Sequence, residues 1–161
     1  MLASGWSAVG ARMTVGFLMS VPTQKRPSYR GSSRVSDAVD ATVIRAVVEH
    51  FYDVVRADSL LGPVFEAHVS DWTPHLDTMC RFWLFVLQGE GRYEGNPFEK
   101  HKGVPEITAE HFAHWLELFS GILAEHCSAD DASAWELTAR RMGFAMASRM
   151  GLGEPIELLP G

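Results

Sequence analysis

The sequence has only two cysteines among its 161 residues, Cys80 and Cys127. They form no CxxC pair, no zinc-ligand spacing and no disulfide framework. Basic charge is scarce too: 14 Lys and Arg stand against 20 Asp and Glu, giving a net charge of −6 and a pI near 5.6. Nucleic acids and anionic membranes are held by clustered cations, so neither is an expected partner, and small molecules fit better. No apolar run approaches the roughly 20 residues of a membrane span, and two unpaired thiols fit a reducing cytoplasm. HExxH, a phosphate-binding glycine loop and a Gly-x-Ser-x-Gly elbow are also missing, which leaves protease, nucleotide and hydrolase chemistries without support.

What is present is an apolar and aromatic chain. With 47% hydrophobic and 21% charged residues it has core enough for one domain. Nine Phe, five Trp and seven Met suit a large flat organic ligand, and they suit plain helix packing equally. Residues 1–36 differ, mixing Gly, Ser, Pro and Arg around one short apolar patch at residues 15–21 that Gly16 and Ser20 interrupt. As a secretory signal the patch is weak, so the segment is expected to be a disordered extension or the product of a start placed too far upstream, with Met13 or Met19 as alternative starts. The folded domain is expected over residues 37–152, and residues 153–161 form a C-terminal tail.

From Ser36 onward the periodicity is helical. Over residues 40–57, Ile44, Val47, Val48, Phe51 and Val55 recur at three- and four-residue steps and form one apolar stripe. Asp58, Gly62 and Pro63 break it. Ser70 reads as the N-cap of a second helix reaching Gly89, with Asp71 and Pro74 in its first turn. One face of that helix carries His75 above a column of Met79, Phe82 and Val86, with Trp72, Leu76 and Trp83 alongside. Four glycines and two prolines from Gly89 to Ile107 predict an irregular loop with room for a short turn at residues 97–101. Ile107 and Phe112 are placed to staple a third helix starting at Thr108, whose stripe is Phe112, Trp115, Leu116, Phe119 and Leu123. A fourth follows Ser128, carries Trp135, Ala139, Met142 and Met146, and stops at Gly151. With no strand-like alternation, the expected fold class is all-α with four main helices.

His75 and His101 bracket the aromatic helix and the glycine-rich loop in HLDTMCRFWLFVLQGEGRYEGNPFEKH. One imidazole able to bind iron, and a second able to face it across a planar apolar ligand, suggest a haem pocket. The segment NPFEKHKGVP presents His101 from a short fixed turn, and a ligating ring needs its other nitrogen held by a carbonyl or similar partner. Each residue also has a structural reading. His101, between Lys100 and Lys102, could be an exposed loop histidine, and His75 a boundary histidine on an apolar face. Tyr52 could bury its ring and leave its hydroxyl at the surface, and Trp115 could be core. His111 and His114 could share a helix face, but Glu110 and Glu117 make that face look solvated. His50, His68 and His126 read as surface or boundary residues.

Taken in order, FYDVVRADSLLGPVF, DWTPHLDTMCRFW, GEGRYEGNPFEKH and HFAHWLELF closely resemble the truncated haemoglobins, and within them the third group. The resemblance spans about residues 43–151. It implies a shortened globin fold, a two-over-two helical sandwich around one non-covalent b-type haem, with a diatomic gas on the iron. Covalent attachment is not expected, since no CxxCH is present. The glycine pairs of other truncated haemoglobins are absent, as is typical of the third group.

By that resemblance His101 matches the proximal iron ligand, Tyr52 the distal tyrosine, His75 the distal histidine and Trp115 the distal tryptophan. Phe65 matches the phenylalanine that packs on the haem face, and Met79, Phe82 and Trp83 fall where the distal helix meets the porphyrin. The implied function is binding of oxygen or nitric oxide, extending to reactive oxygen or nitrogen species chemistry. The alternatives are a peroxidase-like or nitric-oxide dioxygenase enzyme supplied by an external reductase, and a haem-free helical binding module. Tyr52 and Trp115 are the expected hydrogen-bond donors to the ligand; His75 is expected to gate or to bind through water.

Overall fold

A computed structural model describes residues 35–152; the tail at residues 153–161 and nearly all of the expected N-terminal extension lie outside the described residues. Six helices follow one another: α1 (Ala41–Ala57), α2 (Leu61–His68), α3 (Trp72–Gln88), α4 (Pro97–Lys102), α5 (Ala109–His126) and α6 (Ala129–Arg149). No strand occurs among the described residues. The four long helices are those the periodicity predicts, and α2 and α4 are short additions between them.

Each boundary has a local cause. Asp40 opens α1 by accepting from the backbone N–H of Thr42 at 2.8 Å and of Val43 at 3.0 Å. All five residues of the expected α1 stripe are buried. Asp58 ends α1 and also starts α2, since its carboxylate accepts from Leu60 N–H at 2.9 Å and Leu61 N–H at 2.8 Å. Gly62 and Pro63, expected only to break the chain, therefore lie inside the first turn of a helix. The missing N–H of Pro63 costs nothing there, because first-turn N–H groups have no intrahelical acceptor. Gly62 permits the tight corner: a Cβ at this position would meet the Arg56 carbonyl oxygen at 3.0 Å.

The N-cap of α3 is Asp71, which accepts from Thr73 N–H at 3.1 Å, and not Ser70 as the sequence led one to expect. Gly89 closes α3 in the left-handed conformation, φ 68°. Thr108 caps α5 as expected, with His111 Nδ1 accepting from the Thr108 backbone N–H at 3.3 Å. Ser128 caps α6 by accepting from Asp131 N–H at 3.2 Å.

Helix α1 packs against α2, α3 and α5, and α5 packs against α6, so α1 with α3 lies over α5 with α6. The joint is aromatic. Trp83 of α3 stacks on Phe119 of α5 with ring centroids 5.4 Å apart, and both meet Trp135 of α6 edge-on. Phe51 of α1 adds a further edge contact to Phe119 at 5.1 Å. Burial of each such side chain contributes about 1.5–3 kcal/mol, which makes this layer the centre of the fold. Where the chain enters the domain, the buried Asp131 carboxylate accepts from the Ser36 N–H at 2.6 Å and hydroxyl at 2.9 Å, and from the Ser128 hydroxyl at 2.8 Å.

Candidate functional site

Only one side of α3 enters the core, through Trp83 and Leu87. The column His75, Met79, Phe82 and Val86 on its other apolar side is merely half-buried, and Phe85 is exposed. An apolar helix face left partly uncovered opposite a packed one is what a flat hydrophobic ligand would use.

His75 stands at the α1 end of this face inside an aromatic cage. Tyr52 from α1 meets it edge-on at 4.9 Å, Trp72 at 5.7 Å and Phe65 from α2 at 6.3 Å. Tyr52 also touches Phe65 at 5.6 Å and Trp72 at 5.9 Å. Within the cage His75 Nε2 is buried and finds no hydrogen-bond partner among the described residues. A buried nitrogen without a partner is costly, so a native protein keeps one where something else completes it. Burial holds the His75 pKa below its ordinary value, and the charge of His101 adds to the effect, so the two imidazoles sense each other. Burial, with a smaller contribution from Cys80, pushes the Tyr52 hydroxyl well above the ordinary phenol range; it stays protonated, a donor at any physiological pH.

His101 comes from α4. Asn96 caps this short helix by accepting from Glu99 N–H, Pro97 supplies its first position, and the ring emerges one turn on. His101 Nδ1 donates to the Pro97 carbonyl at 2.7 Å, the partner that a ligating imidazole requires. That bond fixes the ring orientation and the tautomer, leaving the Nε2 lone pair as the coordinating atom. The ring lies roughly parallel to Phe112 of α5, 6.2 Å away.

The remaining expected residues are spread more widely. Trp115 packs on Phe51 at 4.9 Å and stacks on Phe119 at 4.7 Å, so it joins the Tyr52 cage through Phe51. Met79 and Phe82 stay on the half-buried column, and Phe82 also meets Tyr93 from the loop. Trp83 instead sits in the core layer between Phe119 and Trp135. His111 is occupied by its cap and His114 by Asp58 at 2.7 Å, so the two do not share a task. Among the described residues no group of three or more His, Cys, Asp or Glu side chains gathers as a metal site.

Sequence reasoning underused Trp72, which forms a wall of the cage. Its position three residues before His75 on a helix was the available signal. The pairing of His50 with His126 at 3.0 Å was not foreseen, and nothing local in the sequence announces it.

The fold and site together define an all-helical protein with an aromatic cage around one imidazole, a second imidazole mounted on the short α4, and one half-covered helix face. The donor set fits haem: an imidazole with one nitrogen tethered, a second whose buried nitrogen has no partner among the described residues, and a strip of half-buried apolar side chains on α3. A family model described as bacterial-like globin matches residues 37–148. The group 3 truncated hemoglobin of Campylobacter jejuni is 36% identical over 87 residues, covering 52% of this chain and 68% of that protein. The crystal structure of the group III truncated hemoglobin from Campylobacter jejuni superposes with a TM-score of 0.67 at 28% identity, over 72% of this chain and 94% of that one. The chain belongs to the bacterial-like globins, among the group III truncated haemoglobins. Haem-based binding of a diatomic gas follows from that membership. No helix among the described residues is long and apolar enough to cross a membrane.

Proposed function

We propose that the chain holds a b-type haem through His101 and binds oxygen or nitric oxide beside Tyr52, His75 and Trp115. Two nitrogens support this above all else: His101 Nδ1, held by the Pro97 carbonyl at 2.7 Å, and His75 Nε2, buried without a partner among the described residues. A bound haem would supply a redox-active iron able to take a gas ligand, and His101 is the residue that would hold it.

The chain's own residues then divide the work. Pro97 fixes the His101 ring, and Phe112 lies alongside it. Phe65, Met79 and Phe82 supply apolar surface to the porphyrin, with Trp83 stiffening the helix behind them from its place in the core. Tyr52 and Trp115 donate hydrogen bonds to a gas ligand that takes on partial negative charge, and His75 regulates access or bonds through water. The same donors would polarise a peroxide, and turnover of oxygen or nitrogen species would draw its electrons from a separate reductase. Both free cysteines are half-buried and fit a reducing compartment, so we place the protein in the cytoplasm.

The test is reconstitution of the purified chain with ferric haem, followed by reduction and exposure to carbon monoxide. A stoichiometric Soret band that shifts with carbon monoxide is the expected result. A helical chain that takes up no haem would overturn the proposal.

A further inference from the structure

Trp72 has two faces that do different things. Inward, its ring meets Tyr52, Phe65 and His75, with the Phe65 ring stacked on it at 6.4 Å. Outward, it lines a surface cavity of about 340 Å³ together with Asp53, Arg56, Ala57, Gly62 and Glu66. The indole is therefore a partition between solvent and the cage that holds the unpartnered His75 nitrogen. It is held in place from outside: the Arg56 guanidinium lies 5.0 Å from the Trp72 ring centre and within 3.9 Å of Asp53. Neither contact locks it. Arg56 is exposed, so its hold on the ring is of the weak, solvent-screened kind.

We propose that Trp72 sets the rate at which a diatomic ligand passes between solvent and the distal pocket, with Arg56 as its latch and the outer cavity as the vestibule. This rests on the haem reading above and specifies the route to that site: Trp72 is the gate, and of the two roles given to His75 the water-linked bond is the one that remains. Gly62 also lines this vestibule, and a side chain there would press on the end of α1. Trp72 makes no part of the ligand's hydrogen bonding, which belongs to Tyr52 and Trp115. A partition of this kind changes the barrier without changing either end state, so it moves entry and exit together.

The experiment is carbon monoxide association by flash photolysis and dissociation by ligand replacement, on the haem-loaded ferrous full chain. Trp72→Ala is expected to raise both rate constants about ten-fold or more and to leave their ratio within about two-fold. Arg56→Gln, on an exposed residue whose loss does not threaten folding, is expected to raise both by about two- to five-fold, the loss of one exposed cation–π contact. Trp72→Phe should stay near the parent. Rates that ignore both substitutions overturn the gate, as does a change in affinity carried by one rate alone. A chain that fails to load haem is seen in its spectrum beforehand and overturns the haem reading and the gate together. A haem-loaded chain with unchanged rates overturns the gate alone.

Discussion

His101 donates its Nδ1–H to the carbonyl of Pro97 one turn earlier, at 2.7 Å, and so turns its other nitrogen outward from α4. Proline at that position has no N–H of its own to satisfy and a fixed φ, so the acceptor is held by a stiff residue at the start of a short helix. Pro97→Ala should loosen the ring without removing it. Haem should remain bound but be lost to excess apomyoglobin several-fold faster; an unchanged transfer rate would mean that the Pro97 ring adds no rigidity.

Trp115 can only donate, through its indole N–H, and its ring is stacked on Phe119. Trp115→Phe keeps the stacking and deletes the donor. A hydrogen bond to a charged acceptor is worth about 1.5–3 kcal/mol, so oxygen release measured by stopped flow should speed up by about ten-fold or more. Tyr52→Phe should act in the same direction. Unchanged release would reduce Trp115 to a core residue.

His114 and Asp58 couple α5 to the corner between α1 and α2 through a 2.7 Å contact. The hydrogen bond to Asp58 raises the His114 pKa against an opposing effect of burial. Burial pushes the Asp58 carboxyl up, but the His114 bond and the N–H groups of Leu61 and Leu60 outweigh it and hold the pKa below its ordinary value. The charged pair therefore stabilises the fold between the two. It is fully present between the ordinary 3.8 of Asp58 and the ordinary 6.5 of His114, fades as pH rises through the raised His114 value, and is lost as pH falls through the lowered Asp58 value. Thermal melts should show His114→Gln less stable than the parent by about 1 kcal/mol near pH 6, with the gap narrowing by pH 9. A gap that widens with pH would contradict the assignment.

Trp135 is fully buried, yet its indole N–H has no partner among the described residues. Trp135→Ala should cost about 3–5 kcal/mol of stability in urea denaturation. Trp135→Phe should cost much less, because it also removes a buried donor with nothing to bond. Equal losses would show that the indole N–H is satisfied after all.

The long helices were legible because each carries a stripe at helical spacing and a capping residue: Asp40, Thr108 and Ser128 act where their side-chain chemistry places them. Gly62 and Pro63 misled, since breakers inside a first turn look the same in sequence as breakers between elements. Asp58, four residues before Gly62, decides the matter by accepting from the N–H groups of Leu60 and Leu61 at the start of α2, which periodicity does not report. The candidate site was legible in parts. The NPFEKH turn gave His101 a fixed mount, and His75 stood out on an apolar face. The cage of Tyr52, Phe65 and Trp72 around His75 depends on how α1, α2 and α3 meet. Trp83 is buried while Phe82, one residue before it, stays on the half-buried column, and that choice depends on which side of α3 finds Phe119 and Trp135.

The central claim is that the two histidines are not equivalent: His101 holds the iron and His75 does not. Absorption spectra of His101→Ala and His75→Ala, each offered one equivalent of haem under identical conditions, test it most directly. His101→Ala should lose the Soret band or bind haem only weakly while its far-ultraviolet circular dichroism stays helical, and His75→Ala should retain stoichiometric haem. Full haem with an unaltered ferrous spectrum in His101→Ala, or loss of haem in His75→Ala alone, would contradict the account.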